Sequence, residues 1–388
     1  MKRILLILVV FAIAASGTFG QTAITGVTPK DARSMGMGGT FRVFSDGYSS
    51  FFGNPAGFAG QGSLTLADVS TWAYIKPTTS TINDVQNLIN GSMSDSELLT
   101  MLGNMIGQNG FGAGTSVGLG WAGKGFALGA NVILDAPIGG AFPLGTKVTA
   151  VSQADGVLGF GIPINMGIVG LKIGLDGRVF YRLNAPSGGW TFIDIATGLM
   201  GGGSTDTLFK SLKLYGGYGF AADAGAVLNI GPVLFGFSVR DLGLAFKMKE
   251  ISVYDLTSGG FNAIPFDGTV PFVLTPQYAA GVGVRLFENG LFEPSVYAEV
   301  DDPIYLVSHI SDFATDVFMK LHAGAQLRLL RFITVRGGLN KGWISVGAGI
   351  DLALLEIDAA VFTEEMGLYP GNKGRTGISV QAAIRFGR

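Results

Sequence analysis

The chain has 388 residues, 62 of them Gly and none of them Cys, with 14% charged residues and a formal net charge of −2. The missing Cys excludes disulfides, thiolate metal sites and lipid attachment at a cysteine, and no basic run is concentrated enough to point to a nucleic-acid partner. The positive mean hydropathy of +0.43 suits a membrane protein. Yet past residue 20 no apolar run approaches the roughly 20 residues of a spanning helix, because Gly, Ser, Asp, Lys or Arg interrupts each one.

Residues 1–20 read as a secretory signal. Lys2 and Arg3 form the basic start, Ile4 to Ala15 the apolar centre, and Thr18 and Gly20 are the small residues before a cut ahead of Gln21. The mature protein is expected in the outer membrane of a diderm bacterium. Residues 21–61 are rich in Gly and small residues but carry Phe41, Phe44, Phe51, Phe52 and Phe58. That is too apolar for a solvated tail and too broken for a strand, so the segment is expected to be buried inside what the rest of the chain builds.

From about residue 62 the dominant period is two. Ile344, Val346, Ala348, Ile350 and Leu352 oppose Ser345 and Asp351; Ile378, Val380, Ala382, Ile384 and Phe386 oppose Ser379, Gln381 and Arg385. The same alternation predicts a strand over 317–329, and others over 278–286 and 292–300. The candidate strands run about 9–15 residues, longer than the usual ~5–6 of soluble sheets and right for tilted membrane strands. Short connections at 123–124, 163–165, 230–232, 288–290, 330–331 and 354–355 alternate with long ones at 77–111, 136–147, 184–211, 248–273, 302–316 and 365–373. Only the turn at 340–341 breaks that alternation. The pattern predicts an all-β, transmembrane antiparallel barrel of about fourteen strands over 62–388, with long extracellular loops. Within 77–111, Ser94 and Glu97 have capping-box spacing before Leu98, Leu99, Leu102, Met105 and Ile106, which predicts a short helix.

The run Ala32-Arg33-Ser34-Met35-Gly36-Met37-Gly38-Gly39-Thr40, an aromatic-rich link and then Asn54-Pro55-Ala56-Gly57 resemble the start of the FadL/OmpP1/TodX family of outer-membrane transporters. Relatives that resemble it include the spirochaete FadL-like and PorV-type barrels. The resemblance implies fourteen strands around an N-terminal hatch in the lumen, with Gly36, Gly38, Gly39, Asn54, Pro55, Ala56 and Gly57 as its gating residues. The family's ligand-binding residues have no one-to-one match here. The chain also ends Phe386-Gly387-Arg388, where many outer-membrane barrels end on Phe.

Catalysis finds little support. Two His, His309 and His322, show no metal-ligand spacing, and no Gly-x-Ser-x-Gly elbow occurs. No enzyme activity and no cofactor are expected. Polar strand faces carry charges of both signs, among them Lys172, Arg178, Arg182, Arg285, Lys320, Arg328 and Arg336, which suits a lumen paired with itself and with the hatch rather than an ion-selective ring. The long loops hold Trp190, Phe192, Leu199, Met200, Phe209, Tyr254, Phe261, Phe266 and Phe272, candidates for an apolar capture surface. The expected function is passive uptake of hydrophobic compounds such as long-chain fatty acids. A PorV-like barrel that binds exported proteins is the alternative. Expected partners are hydrophobic small molecules, outer-membrane lipid and the barrel assembly machinery, with an exported protein as a further one.

Overall fold

The computed structural model describes residues 22–75, 79–92, 94, 97, 100, 101, 103, 104, 110–141, 145–191, 193, 194, 205–287, 290–308 and 313–387. The expected signal (1–20) and the apolar positions 98, 99, 102, 105 and 106 lie outside them. Strand elements are β1 (Thr22–Thr25), β2 (Ser63–Tyr74), β3 (Phe111–Gly123), β4 (Phe126–Ala141), β5 (Gly145–Val148), β6 (Val151–Met166), β7 (Val169–Asn184), β8 (Trp190–Thr191), β9 (Lys213–Ile230) and β10 (Val233–Gly243). They continue with β11 (Phe246–Ser252), β12 (Val270–Thr275), β13 (Gln277–Arg285), β14 (Phe292–Asp301), β15 (Leu321–Leu329), β16 (Ile333–Asn340), β17 (Trp343–Leu352), β18 (Leu355–Glu365) and β19 (Gly374–Phe386). Helices are α1 (Ala32–Gly36), α2 (Thr79–Ile89), α3 (Thr205–Ser211), α4 (Val253–Gly259), α5 (Pro303–Ser308) and α6 (Phe313–Lys320). Among the described residues no helix is long and apolar enough to cross a membrane.

Fourteen strands close a ring in the order β2-β3-β4-β6-β7-β9-β10-β13-β14-β15-β16-β17-β18-β19, every neighbour antiparallel, and β19 returns to β2 from Gly377↔Tyr74 to Phe386↔Leu64. Closure leaves no sheet edge to be satisfied in hydrocarbon. Alternation supplies the two faces. Outward Leu119, Phe160, Leu175 and Val296 are each more than half exposed, while inward Asp155, Arg178, Asp223, Glu299, Asp358 and Gln381 are buried. A belt of that size facing outward belongs to lipid, as in a transmembrane barrel.

The structure departs from the sequence expectations in two strands. Pro163 is no turn residue: β6 continues through it, paired with Lys172, and the turn falls at Gly167–Ile168, where Gly167 has φ +66°. The pairing of β6 with β4 stops at Phe160, with a last bond from Gly161 N to Gly125 O at 3.0 Å, so at Pro163 that side of β6 is past the ladder and the missing proline N–H interrupts nothing. Residues 317–320, read as strand, are the end of α6, and β15 begins at Leu321. Alternating residues at a short element's start satisfy either period, and here the helix places Lys320 3.4 Å from Asp302.

The long connections lie at one end of the ring and carry their own structure. The capping box is present, with Ser94 N donating to Glu97 Oε2 at 2.9 Å and Glu97 N to Ser94 Oγ at 3.4 Å. The Ser94 hydroxyl, donating to Glu97 Oε2 at 2.7 Å, and then the Ser94 N–H hold the Glu97 carboxyl below its ordinary range. α2, ahead of it, was not expected. The 244–276 connection forms β11 and β12, and β12 pairs in parallel with β1, Thr22↔Phe272 to Thr25↔Thr275. At its exposed tip the hydrogen bonds from Lys249, 3.2 Å away, lower the Asp267 carboxyl.

Candidate functional site

The segment between β1 and β2 is the centre of the site. It starts at the loop end beside β12, meets inward-facing residues from nearly every strand, and leaves at Gly62 to begin β2 at the turn end. A single stretch in contact with the inner faces of opposite walls lies within the ring. Its Met37, Phe41, Val43, Phe44 and Ala56 pack with inward Val227, Leu234, Ala279 and Tyr297; Tyr48, Phe51 and Phe58 pack with Ala122, Ala127 and Val157. These aromatic residues therefore have an apolar home inside a wall that is otherwise charged.

Small residues on the wall make the fit. α1 is capped by Asp31, whose Oδ1 accepts from Ser34 N at 2.9 Å. Its end, Gly36, lies so close to Gly347 of β17 that a Cβ on it would stand 3.0 Å from the Gly347 Cα. Gly38 and Gly39 follow with φ +71° and +81°, the left-handed region that favours glycine, and a Cβ on Gly38 would sit 2.6 Å from Leu339 N. The chain turns sharply there against β15 and β16.

Polar clamps fix the same stretch. Glu299 accepts the backbone N–H of Phe41 at 2.9 Å and of Arg42 at 3.1 Å, and Arg42 reaches Asp301 at 3.1 Å. His322 places Nδ1 2.9 Å from Gly38 O and Nε2 3.1 Å from Asp301 Oδ2. Asn54 is fully buried. Its Nδ2 donates to Val43 O (2.8 Å) and Phe237 O (3.1 Å), and its Oδ1 accepts from Ala56 N (2.9 Å), capping the 3₁₀ turn Pro55–Ala59. Pro55 sits over Gly174 of β7, which leaves no room there for a Cβ, and Gly57 N donates to Asn54 O at 3.0 Å.

The charges form two wall networks. Arg178 is within 3.7 Å of Asp155 and 3.5 Å of Asp223 and contacts Asp241; Arg240 reaches Asp223 and the Phe52 carbonyl. Arg182 donates to Thr25 O at 2.8 Å. Across the lumen Arg336 pairs with Asp358, and Arg385 with Asp68 and Glu356. Arg285 donates to Tyr297 Oη at 2.9 Å and Phe44 O at 3.3 Å, and Arg328 reaches Asp351 at 3.2 Å near the turn end. Lys172 is inward and half-buried on β7. Lys320 is the exception: it ends α6 and lies 4.4 Å over the Tyr305 ring, so it belongs to a loop and not to a lumen-facing strand.

The loop candidates divide. Phe192, Leu199 and Met200 lie outside the described residues, as does the Phe261 side chain. Trp190 in β8 donates to Lys213 O at 2.8 Å; Phe209 on α3 is half-buried; Tyr254 on α4 stacks under Lys210 at 4.5 Å. Phe272 is 5% exposed, packed with Phe246, Met248 and Leu274 against Phe180 of the inner wall, so it is no open capture residue. β12 folds inward and takes it along. Phe266 is 64% exposed and sits 5.5 Å from the Tyr181 ring. It lines an apolar groove of about 700 Å³ on the outer wall together with Leu66, Val117, Leu119, Val132, Val179 and Tyr218. A second, polar cavity of about 380 Å³ lies inside, between the segment and the wall, with Lys30, Arg42, His322, Lys341, Glu364 and Arg375 around it. Alternation puts Glu299 and His322 on the polar face, where a lumen hydrogen bond is expected of His322, but only the fold shows which backbone each one faces.

No family model matches the chain, and no curated protein matches it. Solved structures do resemble it. The CymD monoaromatic hydrocarbon channel is 13% identical over 94% of this chain and 99% of its own, with a TM-score of 0.49. The Pseudomonas putida toluene transporter TodX is 12% identical over 94% and 99%, at 0.44, and the Ralstonia pickettii toluene transporter TbuX 13% identical over 92% and 97%, at 0.45. At these values the barrel rests on its own strand pairing and not on these likenesses.

Proposed function

We propose that this chain is an outer-membrane channel for passive uptake of hydrophobic compounds, long-chain fatty acids among them, with residues 21–61 as the hatch. The observation that carries this reading is a segment seated in a closed ring by side-chain clamps and small-residue contacts while it lends no strand to the ring. Such a body can shift without opening the wall. A compound partitions onto apolar surface at the loop end and around Phe266, since burial returns roughly 25 cal/mol per Å². It then passes inward as the stretch around Gly38 and Gly39 moves. No cofactor or energy source enters this scheme. The long loops face outward from the cell, and residues 1–20 direct export and are removed before Gln21.

The test is flux of a labelled long-chain fatty acid into liposomes holding the purified protein. Saturable uptake above empty liposomes is expected, and its absence overturns the reading. Docking of an exported protein is the second reading, favoured by apolar residues left open on the loops: Val307 is 77% and Leu368 82% exposed. A stoichiometric protein partner recovered from envelopes, with no bound hydrophobic compound, would select it.

A further inference from the structure

We propose that His322 is a proton-dependent latch that holds the N-terminal segment to the wall. Both of its ring nitrogens face acceptors: Nδ1 is 2.9 Å from the Gly38 carbonyl oxygen and Nε2 3.1 Å from Asp301 Oδ2. A neutral imidazole has one N–H and one lone pair, so it satisfies one of these oxygens and opposes the other; the imidazolium donates to both. The side chain is buried, with 7% exposure, so water does not make up the difference.

The oxygen that faces Nε2 belongs to a carboxylate. The other Asp301 oxygen is engaged by Arg42 at 3.1 Å, which matches a carboxylate and not an acid. Glu299, opposite His322 in the β14–β15 register, uses both oxygens to accept backbone N–H groups from Phe41 and Arg42. From β16, Asn340 is the register partner of His322 and contributes no charge, and Lys341 follows it on the rim of the same cavity. From the segment itself Gly38 and Gly39 supply backbone and Arg42 the one charge. With His322 protonated, the ring donates to Asp301, which Arg42 and Lys341 also face. Loss of the proton sets a lone pair against an oxygen. The affected point is the left-handed turn at Gly38 and Gly39, whose amides bond back to Met35 O and Ser34 O and whose Gly38 carbonyl is the one His322 faces. The latch is therefore closed in the protonated state and weakens as pH rises through deprotonation.

This inference rests on where the segment sits. It meets the channel reading only in its consequence, so failed fatty acid flux with a pH-dependent latch would count against the channel alone. The test uses the full-length chain in detergent micelles, with ring ¹⁵N NMR and backbone hydrogen exchange corrected for intrinsic rates, from about pH 5 to about pH 9. With only two His in the chain, H309Q assigns the spectrum. The His322 ring is expected to show two protonated nitrogens at the acid end. Protection of the amides at 38–42 is expected to fall by up to about tenfold per pH unit while the closed latch still holds a proton that the open form has lost, and to level off once both are neutral. In H322Q the alkaline loss of protection disappears. In D301N the amide donates to the neutral ring, and protection persists to the alkaline end. A neutral ring throughout, protection that ignores pH in the wild type, or wild-type pH dependence retained in H322Q each overturns the proposal.

Discussion

The Asn54 side chain reaches out of the N-terminal segment to donate to the Phe237 carbonyl of β10 at 3.1 Å, while its own oxygen takes the Ala56 N–H at 2.9 Å. One residue thus ties a turn inside the ring to the wall and caps that turn. Replacing it by Ala leaves buried donors and acceptors unpaired, at about 1–3 kcal/mol. Asn54→Ala should lower the urea midpoint of the micellar protein and make residues 22–60 more sensitive to protease.

Glycine positions separate close packing from open space. Gly38→Ala asks for a Cβ at φ +71°, 2.6 Å from Leu339 N, and should destabilise by more than about 1 kcal/mol. Gly177, on the outward face of β7 with nothing within 4 Å of where a Cβ would stand, should accept Ala with no measurable loss. Heat-modified gel mobility compares the two.

Phe266 and Phe272 stand six residues apart in one connection and should behave differently. Phe272→Ala empties a buried cluster and should cost about 3–5 kcal/mol in unfolding. Phe266→Ala removes an exposed ring and should leave stability within about 0.5 kcal/mol of the wild type. If capture runs over the groove it lines, the same substitution raises the concentration at which liposome uptake saturates.

Arg178 is 2% exposed among Asp155, Asp223 and Asp241. Arg178→Ala would bury three carboxylates without their shared cation, at a cost of about 3–5 kcal/mol. Arg178→Ala combined with Asp241→Asn should recover part of that loss, since one of the stranded charges is gone. Thermal unfolding of the single and double variants measures the coupling.

The wall was readable because each strand repeats a two-residue choice, as in Ile344 to Leu352, and lipid and lumen enforce that choice along the whole strand. Where another contact decides, the pattern misled. Val317 and Met319 fit a strand's period but lie in α6, and Pro163 looked like a turn because nothing in the sequence shows that one side of β6 is unpaired there. The segment's burial was legible in its aromatic residues. Its anchors were not, since Glu299 and His322 find their partners about 260 to 280 residues away. Nor did alternation announce β1, four residues paired in parallel with a strand from a loop.

The seam between β2 and β19 joins the first and last strands of the ring, with Gln381 bound to Asp68 across 313 positions. During synthesis the first 60 residues emerge long before the surfaces that seat them, because β14 to β18 supply the cradle for Gly36 to Arg42. Until those strands arrive, Phe41 and Phe44 lack the Tyr297 ring they pack on. The stretch that ends up most enclosed is thus the one that waits longest, and a chaperone or an unsealed ring must shelter it in the interval.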